Sequence, residues 1–565
     1  MKALRTISLL LLASTLAFAK HPKVADDLDG ADPNSTVDVI VQFKAPPTKD
    51  DLKQLGPYGQ MKKSFDGINA VLIPLPASKL ASIANNPNIT FMSPDRPVQR
   101  MLDLSAAAVN AAAAKNYSLD GTGVGIAILD SGVTLRDDLK KSGGATRIVY
   151  SQDFTGQGIT ADNYGHGTHV AGIAAGSGKA SSGDGSLRVF KGIAPNANII
   201  NLRVLDNNGQ GTDSNVIAAI QQAIALKNTY NIRVINLSLG RSVFESYAVD
   251  PLCQAVESAW KAGIVVVVAA GNQGRNNNGG INGYGTITAP GNDPYVLTVG
   301  AMKTMNTPGR TDDNIASYSS KGPTLYDHVV KPDLVAPGNQ VRSVLGATSS
   351  ALYTQYPATQ IPISYYLAGY TKAISSSYFE LSGTSMATPV VSGAAALLIQ
   401  QNSSITPDQV KARLMKTAYK AFPSVSSVTD PSTGIVYTSY YDLFTVGAGY
   451  LDVQAALANT DVAGLPALSP AVVFNSSTNT VSLVAGANGV WGSSGVWGTN
   501  MVWGSLVLQA NNIVWGSNIV WGDHTNAGFN IVWGDGINGT INPANIVWGS
   551  STNLEGMSVL TQGEN

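Results

Sequence analysis

The sequence predicts an α/β protein whose main domain, residues 104–460, holds a mostly parallel sheet covered by helices on both faces. Short β-branched runs alternate with helical stretches, as in successive βαβ units. The predicted strands are Gly125–Leu129, Ala197–Leu202, Ile232–Leu237, Ile264–Ala269 and Val296–Val299, and the predicted helices between them include Ser214–Leu226 and Pro251–Lys261. Because ligands of such sheets lie beyond the carboxyl ends of the strands, we expect functional side chains there.

Length and composition exclude several classes of protein. A chain of 565 residues is too long for one core, so we expect several domains. Its 44% hydrophobic and 13% charged residues are typical of a globular protein. A net charge of −1 gives no long-range attraction to nucleic acid or an anionic membrane, so neither is an expected partner. Cys253 is the single cysteine, which excludes an intramolecular disulfide and suggests a small core residue.

Residues 1–19 have the pattern of a secretory signal peptide. Lys2 and Arg5 give a positive start, Ile7–Ala13 is a short apolar run, and Ala17–Ala19 is a small-x-small cleavage pattern. The apolar run is too short to span a membrane, and no later segment reaches spanning length without interruption. We therefore expect a secreted protein, with association to the cell surface as an open alternative.

Residues 35–100 predict a separate small α+β domain. Strand-like and helix-like segments alternate there. The expected strands are Val37–Phe43, Asn69–Pro74 and Ile89–Met92, and the expected helices are Lys49–Leu55 and Ala77–Ala84.

Residues 461–565 differ sharply from the rest of the chain, because they contain neither Lys nor Arg. They also hold seven of the eight tryptophans, each within a Val-Trp-Gly repeat: Trp491, Trp497, Trp503, Trp515, Trp521, Trp533 and Trp548. The sequence does not determine the structure of this Gly/Trp-rich repeat region, and β structure is one option. Three interpretations stay open: a disordered appendage, a small β-solenoid-like domain, or a module that binds a surface or polymer.

Two candidate catalytic residues follow the first predicted strand. Asp130 closes that strand, and a carboxylate there needs a hydrogen-bonding partner to be buried. His166 and His169 come next, but the zinc-protease pattern requires Glu after the first His, where Gly167 stands. We therefore discount a metal site and expect His166 to act as a general base. His169 is expected to be a packed structural residue.

Two further candidates follow later strands. Asn272 comes after the strand Ile264–Ala269 and could donate its amide to a developing oxyanion. Ser385 precedes the apolar helix Val390–Gln400, where free backbone N–H groups and the helix dipole favour a nucleophile. The chain order Asp, His, Ser and the residue Ala387 both exclude the α/β-hydrolase pattern.

Taken together, these motifs resemble those of the subtilisin-like (subtilase) serine proteases. The matching segments are Ala127–Gly132, His166–Gly172 and Gly383–Pro389, within a resemblance that covers residues 35–460. The resemblance implies that Asp130 orients His166, that His166 activates Ser385, and that Asn272 with the Ser385 backbone N–H forms an oxyanion hole. It implies a serine endopeptidase that works through an acyl-enzyme and acts on protein or peptide substrates.

The same resemblance implies where substrates bind. The segment Asn236–Gly240 is similar to the strand that pairs with an extended substrate backbone. The walls of the primary specificity pocket would be Ser238, Leu239, Gly240, Ala269, Ala270 and Gly271, with Thr288 near its floor. Since no acidic residue stands there, we expect neutral, apolar or aromatic side chains to be preferred over basic ones.

Residues 35–100 resemble the family's pro-segment, which is an intramolecular chaperone and inhibitor. Maturation would cleave the chain between about Arg100 and Ser105. No cofactor is required by this chemistry. A structural calcium ion is compatible with the family, but residues 174–185 lack its Asn-rich calcium loop, so no recognisable site supports one. The alternative function is a surface or adhesive protein whose protease domain serves only self-maturation.

Overall fold

The computed structural model describes residues 21–25, 28, 32–94, 101–102, 104–277, 281–371, 373–430, 433–475, 480–484, 520–521, 530–531, 546–547 and 554–564. The chain divides into two compact units, residues 1–99 and 100–565. The signal-like residues 1–19 lie outside the described residues, as do six of the seven repeat tryptophans. The seventh, Trp521, lies in the two-residue strand Val520–Trp521.

The first unit contains a four-stranded antiparallel sheet. Its strands run in the order Lys63–Phe65, Ala70–Pro76, Thr36–Phe43 and Ile89–Pro94. Along Thr36–Phe43 alternate side chains are buried, as the two-residue period of a half-buried strand requires. The short strand Lys63–Phe65 was not predicted, because three residues show no recognisable alternation.

Two helices complete the first unit, Lys49–Leu55 and Leu80–Ala84. Thr48 and Asp51 form a capping box, in which each side chain bonds the backbone N–H of the other. The expected helix Ala77–Ala84 begins instead as a 3₁₀ turn, Ala77–Lys79. Leu55, Leu80 and Ile83 pack into one core with the buried strand residues.

The second unit is built on an eight-stranded sheet. Seven strands follow one another in the order Asn314–Ile315, Leu297–Lys303, Val265–Ala269, Ile232–Leu237, Gly125–Asp130, Asn198–Arg203 and Ile148–Asp153, and Leu334–Pro337 pairs beside Leu297–Lys303. All the pairings are parallel except that of Asn314–Ile315. The predicted α/β class with a mostly parallel sheet is confirmed.

Helices cover this sheet. The central strands Gly125–Asp130 and Val265–Ala269 are buried at every residue, which requires cover on both faces. Helix His166–Ala175 packs against Thr384–Gln401, and helix Asp213–Ala225 packs against Pro251–Lys261. The other α-helices among the described residues of this unit are Leu104–Ala108, Lys227–Tyr230, Ala351–Gln355, Pro407–Thr417, Leu443–Val446, Val453–Ala458 and Leu554–Gln562.

Smaller sheets surround the main one. One has three strands, Val341–Val344, Ile374–Leu381 and Gln360–Pro362. The remaining strand pairs in the described part of the unit are Val425–Thr429 with Val436–Tyr440, Ala471–Asn475 with Thr480–Val484, Met101–Leu102 with Arg188–Val189, Gln210–Gly211 with Ile546–Val547, and Val520–Trp521 with Asn530–Ile531. No helix among the described residues has the length and apolar character needed to cross a membrane.

The parallel sheet explains how residues distant in sequence converge. Asp130, Leu237 and Ala269 end three adjacent parallel strands, so the residues that follow them meet at one edge of the sheet. The register pairs Asn236 with Ile128, which aligns the ends of two of these strands. The candidate site lies at that edge.

Candidate active site

Asp130 and His166 form a buried hydrogen-bonded pair. The His166 Nδ1 atom lies 2.7 Å from Asp130 Oδ1, and both side chains are fully buried. The backbone N–H of Ser131 donates to the same carboxylate oxygen at 2.8 Å. A carboxylate that accepts from Nδ1 fixes the ring orientation and directs Nε2 away from Asp130.

Gly167 allows the His166 helix to approach the Asp130 strand. A Cβ atom at Gly167 would lie 2.2 Å from the carbonyl oxygen of Gly132 and 3.1 Å from Asp130 Cβ. No larger residue fits, so the short distance between Asp130 and His166 depends on this glycine.

Asp162 was not among the predicted site residues, yet it holds this part of the site together. Its carboxylate accepts hydrogen bonds from the Ser131 hydroxyl at 2.8 Å, the Gly165 N–H at 2.7 Å and the Thr168 N–H at 2.8 Å. Gly165 and Thr168 flank the start of the helix, so Asp162 acts as its N-terminal clamp. An acidic residue shortly before a helix start was the available signal.

Burial sets the protonation of these groups. It raises the pKa of Asp130 and lowers the pKa of His166, because neither charged form is solvated there. The imidazole of His166 is therefore neutral near pH 7, the form that can accept a proton.

His169 lies one helical turn further on and is also fully buried. Its Nε2 atom donates to the carbonyl oxygen of Val341 at 3.0 Å, and its ring stands edge-on to Phe379. Burial lowers its pKa to about 3, so it is uncharged. These contacts are those of a packed structural residue.

Ser385 is the second residue of the helix Thr384–Gln401 and is fully buried. The first N–H groups of a helix have no acceptor within the helix, which leaves the Ser385 N–H available to a ligand. The Ser385 hydroxyl donates to the carbonyl oxygen of Ser238 at 3.1 Å, and the Ser238 hydroxyl donates to the carbonyl oxygen of Ser385 at 2.7 Å. This exchange ties the nucleophile candidate to the sheet edge.

Asn272 is oriented by Thr384. The Oδ1 atom of Asn272 accepts from the Thr384 N–H at 2.9 Å and from its hydroxyl at 3.0 Å. Because a backbone N–H can only donate, the amide oxygen must face Thr384, and the Nδ2 group is directed elsewhere. Thr384 was not predicted, although its place directly before Ser385 was visible in the sequence.

The residues predicted to wall a pocket also come together. A Cβ atom at Gly240 would lie 2.5 Å from Thr288 Oγ1, and one at Gly271 would lie 2.9 Å from Thr288 Cγ2. Thr288 donates to the carbonyl oxygen of Ala270 at 3.3 Å, and the whole predicted set is buried: Ser238, Leu239, Gly240, Ala269, Ala270, Gly271 and Thr288. Ser238 was predicted as a pocket wall, but its hydroxyl donates a hydrogen bond to the carbonyl oxygen of Ser385.

Within the described part of the chain, no group of three or more His, Cys, Asp or Glu residues is arranged to hold a metal ion. Cys253 is buried and its thiol lies 3.3 Å from Asn292 Oδ1. Burial raises the thiol's pKa, so it is not an activated nucleophile.

Comparison with known proteins identifies the family. Residues 121–448 match the model of the subtilase family. Serine protease AprX of Bacillus subtilis is 36% identical over 361 residues, which cover 62% of this chain and 74% of AprX. Subtilisin Savinase of Lederbergia lenta is 34% identical over 310 residues, 55% of this chain and 88% of that protein.

Two solved structures are also similar. A cold adapted subtilisin-like serine proteinase is 30% identical, with a TM-score of 0.36, and the match covers 53% of this chain and 84% of that one. Sphericase is 28% identical, with a TM-score of 0.42 and coverage of 60% and 93%. The family model and the sequence identities carry the assignment: this chain belongs to the subtilase family and is a subtilisin-like serine endopeptidase.

Proposed function

We propose that the protein is a secreted endopeptidase that cleaves peptide bonds through an acyl-enzyme on Ser385 and is matured by autoproteolytic removal of its first unit. The observation that carries the proposal is the buried Asp130–His166 pair at the sheet edge to which Ser385 is tied. Secretion is supported by the signal-like residues 1–19.

The first half of the reaction acylates the serine. The Ser385 hydroxyl leaves the Ser238 carbonyl and gives its proton to His166 Nε2 as its oxygen attacks the substrate carbonyl carbon. Asp130 stabilises the imidazolium that forms. The carbonyl electron pair moves onto oxygen, where Asn272 Nδ2 and the Ser385 N–H donate to the oxyanion. When this intermediate collapses, the C–N bond breaks and His166 protonates the leaving amine.

The second half returns the free enzyme. A water molecule gives a proton to His166 as it attacks the acyl carbon, and the same oxyanion donors stabilise the new intermediate. Collapse breaks the C–O bond to Ser385, which recovers its proton from His166. Atoms and charge balance without a metal or cofactor.

Substrate recognition rests on backbone pairing and one neutral pocket. An extended peptide would add alongside Ser238–Gly240, a mode that reads little sequence. The predicted pocket walls, among them Gly240 and Gly271 packed against Thr288, carry no carboxylate, which favours apolar or aromatic side chains.

The first unit acts as the pro-segment in this proposal. A large parallel sheet has many non-local contacts and closes slowly, so a small module that folds early can assist it. The same module would inhibit the enzyme until the chain is cut near residues 100–105.

The test compares full-length wild type, Ser385→Ala and the exposed serine control Ser403→Ala. Release of the first unit is followed on a gel, and hydrolysis of casein is measured in solution. We expect wild type and Ser403→Ala to mature and then degrade casein, while Ser385→Ala does neither.

Two other outcomes would change the conclusion. A wild type that matures but leaves casein intact supports the self-processing surface protein, in which the lysine- and arginine-free segment 461–565 would bind the surface. If Ser385→Ala also releases its first unit, Ser385 is not the nucleophile.

A further inference from the structure

The helix Leu554–Gln562 and the two residues after it pack into the second unit. Val559 and Leu560 are 2% and 1% exposed and belong to its main core. This segment follows the Val-Trp-Gly repeats, and Ala471–Asn475 before them also lies on the unit, through a bridge between Ala471 and Val329. The repeats are thus joined to the peptidase at both flanks.

Glu564 fixes this segment in a polar site. Its side chain is 2% exposed and accepts from the Ser317 N–H at 2.9 Å and from the Ser317 hydroxyl. Its two oxygens also lie 3.2 Å from Arg275 Nη2 and 2.9 Å from Lys303 Nζ. Arg275 has a second carboxylate partner, Asp430, at 3.3 Å. Glu564 and Asp430 together therefore balance the charges of Arg275 and Lys303.

The segment also contacts the residues that directly precede the helix Thr384–Gln401. The Ser382 N–H donates to the carbonyl oxygen of Leu560 at 2.9 Å. Asn339 binds the backbone of Glu564 twice, at 2.7 Å through Nδ2 and 2.9 Å through Oδ1. Next to Asn339, the carbonyl oxygen of Gly338 accepts from the Gly383 N–H at 2.8 Å. Ser382 and Gly383 stand directly before Thr384 and Ser385.

We propose that the segment Leu554–Glu564 is a positioning element for the catalytic serine, with Glu564 as its anchor. It holds the turn Ser382–Gly383 from one side, through Leu560, and the facing loop at Asn339 from the other. Arg275, Lys303 and Ser317 then form the binding site for the Glu564 carboxylate, which lies two residues beyond the end of the helix. This inference rests on the proposed function, because it concerns the rate at which Ser385 reacts.

A substitution at Gly563 would disturb the contact between this segment and Ser382 without changing any charge. Its φ is +68°, and a Cβ atom there would lie 2.6 Å from Ser382 Oγ. An alanine at this position is strained and is expected to displace the segment from Ser382 without altering any charge.

The experiment uses full-length chains with the changes Glu564→Lys, Glu564→Gln and Gly563→Ala. The matched control is Gln221→Lys, which adds a cation to an exposed helical side chain outside this segment. Values of kcat and KM are measured on a chromogenic peptide with Phe before the scissile bond. We expect kcat to fall about 10- to 100-fold in Glu564→Lys and Gly563→Ala, with KM nearly unchanged, since misplaced catalytic groups slow the chemical step. Glu564→Gln should be intermediate and the control unaffected.

The attachment of the segment Leu554–Glu564 is measured separately, through the fluorescence anisotropy of a label on this segment. The only natural cysteine, Cys253, is buried, so Gln562→Cys gives a single accessible thiol for labelling. We expect high anisotropy in the labelled protein and a fall when Glu564→Lys or Gly563→Ala is added. A fall in anisotropy with unchanged kcat would overturn the positioning role, and unchanged anisotropy in Glu564→Lys would overturn Glu564 as the anchor.

If Glu564→Lys fails to fold, as seen by circular dichroism, Glu564→Gln and Gly563→Ala decide the question with the same two measurements. A wild type that hydrolyses no peptide would show the proposed function to be wrong. In that case the anisotropy of the labelled variants still decides whether Glu564 anchors the segment.

Discussion

Ser238 and Ser385 exchange hydrogen bonds, each hydroxyl donating to the other residue's carbonyl oxygen, at 2.7 Å and 3.1 Å. Asn236 extends the arrangement, because its Nδ2 group donates to the Ser238 hydroxyl at 3.0 Å and its Oδ1 atom accepts from Ser392 at 2.8 Å. The end of a central strand is therefore hydrogen-bonded to the helix Thr384–Gln401 at two points, Ser385 and Ser392. We therefore expect Ser238, which was predicted as a pocket residue, to position Ser385 as well.

Ser238→Ala should lower kcat about tenfold, because it leaves the buried carbonyl oxygen of Ser385 without its donor and loosens the helix start. KM should change little. The change is measured by steady-state hydrolysis of a chromogenic peptide. Ser258→Ala, which removes an exposed hydroxyl bonded within its own helix, serves as the control. Equal kcat in both variants would refute the positioning role of Ser238.

Asn272→Ala should lower kcat by about 10²–10³, the loss known for a single oxyanion donor in a subtilisin, with little change in KM. Thr384→Val removes one of the two bonds that orient the Asn272 amide, so a smaller loss, on the order of tenfold, is expected. The control is Thr388→Val, since the Thr388 hydroxyl bonds only the carbonyl oxygen of Thr384 one turn earlier. If Thr384→Val behaves like Thr388→Val, the amide is held by the backbone alone.

The pocket should discriminate by size and charge. Peptides with Phe before the scissile bond should give a kcat/KM at least about tenfold higher than the same peptides with Arg. In Gly240→Ala the added Cβ lies 2.5 Å from Thr288 Oγ1, so activity on Phe should fall more than activity on Ala. Gly464→Ala is the control, because its Cβ would meet no atom within 4 Å. A preference for Arg in wild type would show that the assigned walls are wrong.

Lys420 should make the folded protein more stable as pH rises. Its amine donates to the carbonyl oxygens of Met415 and Ala448, and burial lowers its pKa from 10.5 to about 7. Between those two values the unfolded chain binds the proton that the folded chain lacks, so the free energy of unfolding increases with pH in this window.

The measurement is the Tm at the two ends of that window, in a Ser385→Ala background that prevents self-digestion. Lys420→Met should show a smaller rise in Tm with pH than its parent. Lys141→Met, at an exposed lysine, should keep the parent's rise. An identical rise in Lys420→Met and Lys141→Met would mean that Lys420 stays protonated when folded.

The sequence by itself determined the sheet and the residues at its edge. Strand and helix periods are local, so Gly125–Asp130 and Pro251–Lys261 could be located from their own residues. Asp130, His166, Asn272 and Ser385 were predicted as site residues the same way, because each stands in a short distinctive motif beside such an element.

Only the tertiary structure decided which groups hold those residues in place. Asp162 clamps the His166 helix, Thr384 orients Asn272, and Glu564 reaches Arg275 across nearly three hundred positions of sequence. Such contacts produce no periodic pattern in the local sequence, because residues distant in sequence meet only when the sheet forms and brings its loops together. Local pattern thus predicts the candidate reacting groups, while long-range packing determines which residues hold them in place.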